Sequence, residues 1–224
     1  MSDGLDPKEI VRAGYDIVSR IYRSDEEGAE CAHYHAWLDE LEPLLAPGSP
    51  VLDLGCGCGV PVARRLARRY PLTGVDISPV QIERARRNVP GARFICADMA
   101  AITFPAQSFA AAVSFYAIIH LPLAEQRGLF RNILTWLQPG GSLMATLGHQ
   151  AWTGQEEDWL GGGATMYWSH AAEADYLGWL AEAGFRLLWT RFVPEGTGGH
   201  TLLLARRPWP GDIAAEAENA PRPA

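Results

Sequence analysis

The sequence has little that would hold it in a membrane or attach it to a nucleic acid. None of its apolar runs reaches the roughly 18 residues of a membrane-spanning helix. The first ten residues, M-S-D-G-L-D-P-K-E-I, lack the charged-then-apolar layout of a secretion signal. The net charge is −7 at pH 7, whereas binding to a phosphate backbone depends on clustered Lys and Arg. We therefore expect a cytoplasmic protein with neither membrane nor nucleic acid as its partner.

Cysteine is also scarce, with Cys31, Cys56, Cys58 and Cys96 as the full set. Cys56 and Cys58 are too close in the chain for an ordinary disulfide, and no C-x-x-C pair is present. Two cysteines alone also lack the further ligands that a metal ion requires. The sequence predicts reduced cysteines and no metal site.

What is present is a regular alternation of strand-like and helix-like segments, in a chain long enough for one α/β domain. Five strands are predicted first, at S-P-V-L-D-L, L-T-G-V-D, R-F-I-C-A-D, A-A-A-V-S-F-Y and S-L-M-A-T-L. Two more, F-R-L-L-W-T-R-F-V and H-T-L-L-L-A-R-R, are separated only by P-E-G-T-G-G, which is too short for a parallel crossover. We predict a doubly wound α/β fold whose seven-stranded sheet is mostly parallel and closes with a C-terminal antiparallel hairpin.

The same pattern suggests the limits of the domain. A single domain is expected over 9–207, with two leading lid helices in 9–46 and an insert at 150–170. A flexible N-terminus is expected at 1–8, and a disordered tail rich in Pro, Ala and acid at 208–224.

A glycine-rich loop, V-L-D-L-G-C-G-C-G-V at 51–60, follows the first predicted strand. No Lys or Arg occurs in 51–63, which excludes a triphosphate-binding loop. Val60 stands where a dinucleotide fingerprint requires its third glycine. What remains is an acid at the strand end, Asp53, followed by glycines that let a ligand approach the backbone, namely Gly55, Gly57 and Gly59. Such an acid suits a ligand with an amine and a sulfonium.

Two further acids end the next strands. Asp76 ends the second, and Asp98 ends the third, just before Met99. Open α/β sheets bind ligands at the carboxyl ends of their strands, so we expect the three acids to converge there. Asp76 can accept hydrogen bonds from both hydroxyls of a ribose. Asp98 can accept from an adenine amine whose ring lies between Ile77 and Met99.

Together these motifs resemble those of the class I S-adenosylmethionine-dependent methyltransferases, in their small-molecule branch. The resemblance extends from the glycine loop through G-V-D-I-S, C-A-D-M, A-A-V-S-F-Y-A-I-I-H-L, Q-P-G-G-S-L and E-A-G-F, over about 45–207. It implies a Rossmann-like fold and S-adenosyl-L-methionine as the cofactor. It also implies cofactor contacts from Cys56, Gln81, Ser114 and Phe115.

The N-terminal A-G-Y-D-I-V-S-R-I-Y is similar to the lead helix of that branch, with Ser19 where alanine would be usual. By this resemblance, Tyr15 would lie over the methionine end of the cofactor.

Methyl transfer needs an acceptor held near attack distance in a dry site, and a catalytic base is optional. Tyr116 and His120 flank the end of the fourth strand, and His149 follows the fifth. We expect His120 to be the base, although a helix-start residue bonded to backbone is an equally ordinary role for it. The other histidines are expected to be structural or solvated: His33, His35, His170 and His200.

The insert at 150–170 is rich in glycine and aromatic residues. We expect a mobile lid over an apolar acceptor pocket with aromatic faces suited to a cationic amine; a small satellite core is the alternative. The residues expected to bind the acceptor are Tyr22, Trp152, Trp159, Met166, Tyr167 and Trp168.

The sequence therefore predicts transfer of a methyl group to an N, O or C atom of a small metabolite, in a biosynthetic pathway. A non-methylating reaction such as a cyclisation could use the same pocket, with the sulfonium as a bound electrostatic element. A non-catalytic binding module is disfavoured because the acids and glycines are all present. A nicotinamide-dependent oxidoreductase is disfavoured by Val60. The sequence leaves the oligomeric state open.

Overall fold

The computed structural model describes residues 6–212. Its strands are β1 Val51–Leu54, β2 Leu72–Asp76, β3 Arg93–Cys96, β4 Phe109–Ser114, β5 Leu137–Gly148, β6 Trp152–Trp159, β7 Ala164–His170, β8 Arg186–Glu195 and β9 Gly198–Arg206. Its α-helices are α1 Pro7–Tyr22, α2 Ala32–Leu41, α3 Val62–Leu66, α4 Pro79–Asn88, α5 Leu123–Trp136 and α6 Glu173–Ala183. Short 3₁₀ turns occur at Ala29–Cys31, Glu42–Leu44 and Ile118–His120. No helix among these residues is long and apolar enough to cross a membrane.

The main sheet has the strand order β3-β2-β1-β4-β5-β9-β8. Strands β1 to β5 pair in parallel, and β9 enters antiparallel between β5 and β8. The predicted seven-stranded sheet with its closing hairpin is confirmed. The parallel register brings the carboxyl ends of β1 and β2 side by side, and β3 follows at the edge.

Helices cover both faces of the sheet, as parallel strands require. On one face Leu38 of α2 and Ile82 of α4 pack over the sheet. On the other, Phe130 of α5 and Leu180 of α6 do the same. All four residues of β1 are buried, which accounts for the uninterrupted apolar run before the glycine loop.

The structure describes part of each predicted end segment, whereas residues 1–5 lie outside the described residues. Helix α1 starts at Pro7, where the Asp6 side chain accepts a hydrogen bond from the Lys8 backbone N–H (3.0 Å), so residues 7 and 8 are helical. At the other end the Trp209 ring packs so closely on Gly140 that a Cβ there would lie 2.2 Å from it. The predicted disorder therefore does not begin at Pro208, and its remainder, 213–224, lies outside the described residues.

The insert forms the hairpin β6–β7, a separate two-stranded sheet, and not an irregular lid. It packs under α1, where a Cβ on Gly14 would lie 2.8 Å from both Met166 Cε and the Thr165 carbonyl oxygen. Met166 and Trp159 share a small core with Val18 of α1. The hairpin is a fixed support for the leading helix, so the satellite-core alternative describes its inner residues.

Candidate active site at the carboxyl edge of the sheet

Two connected cavities open where the strand-end acids meet. The rim cavity encloses about 610 Å³ of empty space, and Asp76 and Asp98 are among its lining residues. The inner recess continues from it and is lined by Asp53. Four residues line both: Tyr22, Gly55, Gly57 and Phe115. Of the other sequence-predicted cofactor residues, the rim cavity holds Tyr15, Ile77, Gln81 and Met99, and the recess holds Cys56.

Asp53 is buried, with 2% of its surface exposed, and its Oδ2 has no hydrogen-bond partner within residues 6–212. Burial raises the pKa of this carboxyl to about 8, and the nearby charge of Asp76 adds to the effect. A buried carboxylate without a partner is costly, whereas a positively charged ligand in the recess would compensate it. The recess is therefore suited to a cation.

Asp76 connects the glycine loop to β2. Its Oδ2 accepts from the Gly57 N–H (2.8 Å) and its Oδ1 from the Ser78 N–H (2.9 Å). Burial raises its pKa to about 6, against the effect of these backbone bonds. A carboxylate has about four acceptor positions, so two remain for hydroxyl groups of a ligand.

The glycines of the loop have different functions. Gly55 has φ +77°, and a Cβ there would lie 2.1 Å from that of Ala117, so only glycine fits beside the cavity. Gly59 lines neither the rim cavity nor the recess, and it packs against Val89 at the end of α4. Ser114 is buried and donates to the Leu54 carbonyl (2.9 Å). Gly59 and Ser114 thus hold the loop and β4 against their neighbours, and the structure does not place them on the lining of either cavity.

Asp98 is bound to a lysine that sequence reasoning missed. Lys8 Nζ lies 2.7 Å from Asp98 Oδ2 and 2.9 Å from Glu125 Oε2. The spacing of Lys8, Tyr15 and Tyr22, seven residues apart and all lining the rim cavity, was the signal that could have found it. The first turn of α1 is thereby fixed over the predicted adenine site.

His120 has both ring nitrogens occupied. Its Nδ1 lies 2.7 Å from the Tyr167 carbonyl oxygen, which can only accept, so this nitrogen carries the proton. Its Nε2 then accepts from the Tyr15 hydroxyl at 2.9 Å. Burial lowers the pKa of His120 to about 4 and raises that of Tyr15. A neutral imidazole in this state holds Tyr15 in place and has no free nitrogen for an acceptor.

A third space, the outer cavity, lies on the other side of α1's aromatic side chains. It encloses about 1320 Å³ including its open mouth. It shares Tyr15, Tyr22 and Tyr116 with the rim cavity, so these three rings stand where the two spaces meet. Tyr116 has φ +56°, an unfavourable conformation for a bulky residue, and donates its N–H to Thr146 Oγ1 at 2.5 Å. Strained backbone of this kind is concentrated at functional sites.

Comparison with known proteins finds a match to the central part of the chain. A family profile described as a methyltransferase domain matches residues 51–141. Trans-aconitate 2-methyltransferase of Rhizobium meliloti is 39% identical over 99 residues, or 43% of this chain and 37% of that one. The 2-methyl-6-phytyl-1,4-hydroquinone methyltransferase of Synechocystis is 38% identical over 105 residues, which cover 45% of this chain and 32% of that one. Residues 51–141 of this chain are therefore similar to the methyltransferase domain of these relatives.

These matches cover only about a third of the length of the two relatives. Solved structures of class I methyltransferase fold extend the likeness to nearly the whole chain. Magnesium protoporphyrin IX methyltransferase from Synechocystis, with S-adenosylmethionine bound, gives a TM-score of 0.68 at 20% identity and covers 92% of this chain and 100% of that one. The cyclase SpnF gives a TM-score of 0.70 at 22% identity and covers 93% of this chain and 98% of its own. At these identities the likeness shows the fold.

Within this methyltransferase fold, some predicted site residues lie elsewhere. His149 and Trp152 line a separate depression with Phe192, and His149 Nδ1 is 3.0 Å from Thr201 Oγ1. The cause is the length of β5, which continues beside β9 to Gly148 and carries the next residues away from the cofactor side. Trp152 is 48% exposed at the far end of the hairpin.

Two residues predicted to bind the acceptor, Met166 and Tyr167, do not line the outer cavity. The Met166 side chain is buried beneath α1, and Tyr167 reaches the site through its carbonyl group. Trp159 and Trp168 do line the outer cavity, as does Tyr22. Residues that sequence reasoning did not assign to the site line it too: Arg23, Glu30, His33, Tyr34, Glu156, Glu195 and His200.

Proposed function

We propose that this protein binds S-adenosylmethionine and transfers its methyl group to a small organic acceptor. The observation that carries the proposal is the buried Asp53 carboxyl, whose unpartnered Oδ2 is suited to a cationic partner in a recess that continues into the Asp76 cavity. A ligand with an amine and a sulfonium at one end and a ribose at the other meets both requirements.

The lining residues allow each part of this cofactor to be assigned. Asp76 would accept from the ribose hydroxyls, and Ile77 and Met99 would flank the adenine. Asp98 would accept from the adenine amine, sharing its carboxylate with Lys8. The amine and sulfonium would lie nearest Asp53.

Arg23 is the residue suited to the cofactor's carboxylate. It lines both the recess and the outer cavity, and its guanidinium lies 5.6 and 5.3 Å from the ring centres of Tyr22 and Tyr34. Its nearest acid, Glu30, is 3.7 Å away, so the guanidinium is not closely paired. A planar guanidinium can bind a carboxylate through two parallel hydrogen bonds.

When bound, the cofactor supplies an electrophilic methyl group on a positively charged sulfur. The protein's contribution is then to position the acceptor and exclude water. Tyr15, Tyr22 and Tyr116 would surround the path between the two spaces, with His120 keeping Tyr15 in one orientation. His120 acts in this proposal as a positioning residue and not as the base.

The cyclase SpnF among the solved structures is the observation that keeps a non-methylating reaction as the second candidate. The two candidates differ in one product, because only methyl transfer converts the cofactor to S-adenosylhomocysteine. A cytoplasmic location and the lack of a nucleic-acid partner stay predictions from the sequence.

The test begins with calorimetry of S-adenosylhomocysteine binding to the full chain. Asp76→Ala should weaken binding by about 1–3 kcal/mol, because ribose hydroxyls lose a charged partner. Asp39→Asn, which alters an exposed acid paired to Arg65, is the control. Formation of S-adenosylhomocysteine from S-adenosylmethionine with a panel of small acceptors then tests transfer. Turnover of an acceptor without S-adenosylhomocysteine would favour the second candidate, and absence of binding would defeat both.

A further inference from the structure

The outer cavity lies between two groups of aromatic rings. On one side Tyr15, Tyr22, Trp159 and Trp168 form a continuous series with neighbouring ring centres 5.3–5.6 Å apart. On the other side Tyr34 and Tyr116 are 6.1 Å apart, and the His200 ring is 5.0 Å from that of Tyr116. Most of the large side chains that line this space are therefore aromatic.

Carboxylates outnumber permanent positive charges around this space. Glu30, Glu156 and Glu195 line it, with Arg23 as the one guanidinium among its lining residues. Glu156 has no polar side-chain partner within residues 6–212. Glu195 Oε2 lies 3.0 Å from His200 Nδ1, at a poor angle for a hydrogen bond, and this contact lowers the pKa of Glu195.

We propose, on the basis of the proposed methyl transfer, that the acceptor is an arylalkylamine, an aromatic ring bearing an amine on an alkyl chain, and that it enters the outer cavity as its ammonium cation. These acids are exposed, but they border an aromatic cavity that shares Tyr15, Tyr22 and Tyr116 with the rim cavity, where the proposed cofactor would lie. Aromatic faces attract cations, and acids at a cavity mouth concentrate them. An acceptor that carries a carboxylate would be repelled, and a neutral alcohol would gain nothing.

An ammonium nitrogen has no lone pair, so it must lose a proton before it can attack. His200 lines the cavity beside Tyr116, and its Nε2 has no hydrogen-bond partner in the part of the chain that the structure describes. The proton passes to this Nε2, while Nδ1 faces Glu195 Oε2 at 3.0 Å. The freed lone pair of the nitrogen forms the new N–C bond as the C–S bond breaks. The two electrons of the broken C–S bond stay on sulfur. His200 then releases its proton to solvent.

Three probes that differ in one group test the inference: tryptamine, tryptophol and indole-3-acetate. Their binding is measured by calorimetry on the full chain saturated with S-adenosylhomocysteine, and again with the same three head groups on a phenyl ring. We expect the amine to bind at least tenfold more tightly than the alcohol or the acid. Glu156→Gln and Glu195→Gln should each weaken binding of the amine by about fivefold and leave binding of the alcohol unchanged. Glu83→Gln, an exposed acid of α4 paired with Arg87, is the charge-matched control.

The proton step is tested on the amine that the series selects, with S-adenosylmethionine present. His200→Gln should lower kcat at least tenfold and leave amine binding within twofold, whereas His35→Gln, remote from the cavity, should change neither. Alcohol or acid binding as tight as the amine, or no binding by either amine, would overturn the inference. Because cofactor binding is measured first, that result leaves the proposed function intact, whereas loss of cofactor binding would defeat the proposed function itself.

Discussion

The Tyr15 hydroxyl lies 2.9 Å from Nε2 of His120, and this contact joins α1 to the turn after β4. Since Nδ1 of the same ring donates to the Tyr167 carbonyl, one buried imidazole connects the leading helix, the sheet edge and the β6–β7 hairpin. The junction between the rim cavity and the outer cavity is therefore set by a hydrogen-bonded unit, and its contribution can be measured.

Tyr15→Phe keeps the ring and removes only the hydroxyl. The buried Nε2 of His120 loses its partner, so the free energy of unfolding should fall by about 1–3 kcal/mol. Urea denaturation measures the loss. Tyr70→Phe is the control, because that hydroxyl makes only a 3.5 Å contact with the Glu42 carbonyl. Equal losses in the two variants would show that the Tyr15–His120 bond does not stabilise the fold.

The stability of the protein should fall on acidification because of His120. Burial lowers its folded pKa to about 4, against 6.5 in the unfolded chain. Above pH 6.5 the ring is neutral in both states and the effect is absent. Between pH 6.5 and 4 the unfolded chain binds a proton that the folded protein refuses, so stability drops by up to about 1.4 kcal/mol per pH unit.

Urea denaturation at pH 7 and pH 5 measures this slope, and His120→Gln is the comparison. The buried acids act in the opposite direction, since the raised folded pKa values of Asp53 and Asp76 favour the folded state at low pH. The difference between wild type and His120→Gln isolates the histidine. The same pH slope in both proteins would contradict the assignment.

Cofactor binding should release a proton from Asp53. With a pKa of about 8 in the free protein, this carboxyl is mostly protonated at pH 7, and a cationic ligand favours its ionised form. Affinity should therefore rise from pH 6.5 to 7.5, by up to about tenfold. Calorimetry in buffers of different ionisation enthalpy counts the proton released. Asp53→Asn should abolish that release, and an unchanged count would show that Asp53 does not meet the cation.

The sheet and its acidic edge could be predicted from the sequence because both follow from local patterns. Asp53, Asp76 and Asp98 each end an apolar run, and parallel pairing brings strand ends together. What could not be predicted depends on contacts between distant segments. Lys8 and Asp98 are 90 residues apart. His149 comes directly after a strand, like the true rim residues, yet the length of β5 carries it away.

Only part of the outer cavity could be predicted. Tyr22, Trp159 and Trp168 were expected to bind the acceptor, whereas its other walls come from distant segments, among them the first 3₁₀ turn, α2 and the strands β8 and β9. His200 is an example, because its position in the sequence near a hairpin tip suggested a structural or solvated residue. Only the packing of β9 beside β5 places it next to Tyr116.

Arg84 should be among the most sensitive residues of the fold. Its guanidinium is 2% exposed and donates to the carbonyls of Ser19 (2.5 Å) and Arg23 (2.6 Å) and to Asp25 Oδ1 (2.8 Å). Arg84→Met leaves those buried acceptors without a donor, so the free energy of unfolding should fall by about 3–5 kcal/mol. Arg87→Met on the exposed face of the same helix should stay within about 0.5 kcal/mol. A comparable small effect in both would mean that water replaces the Arg84 bonds.

The two ends of α1 are held unequally, and hydrogen exchange should reveal it. The C-terminal end is bound to the buried Arg84, whereas the N-terminal end depends on Lys8, whose ion pairs with Asp98 and Glu125 are partly exposed to solvent. Partly exposed ion pairs open more easily than buried ones. Amides of 10–13 should therefore exchange faster than those of 17–21 in the free protein, as measured by exchange mass spectrometry. Lys8→Met should widen the difference by speeding only the first group. Uniform protection along α1, or acceleration of both groups, would show that the helix opens as one unit.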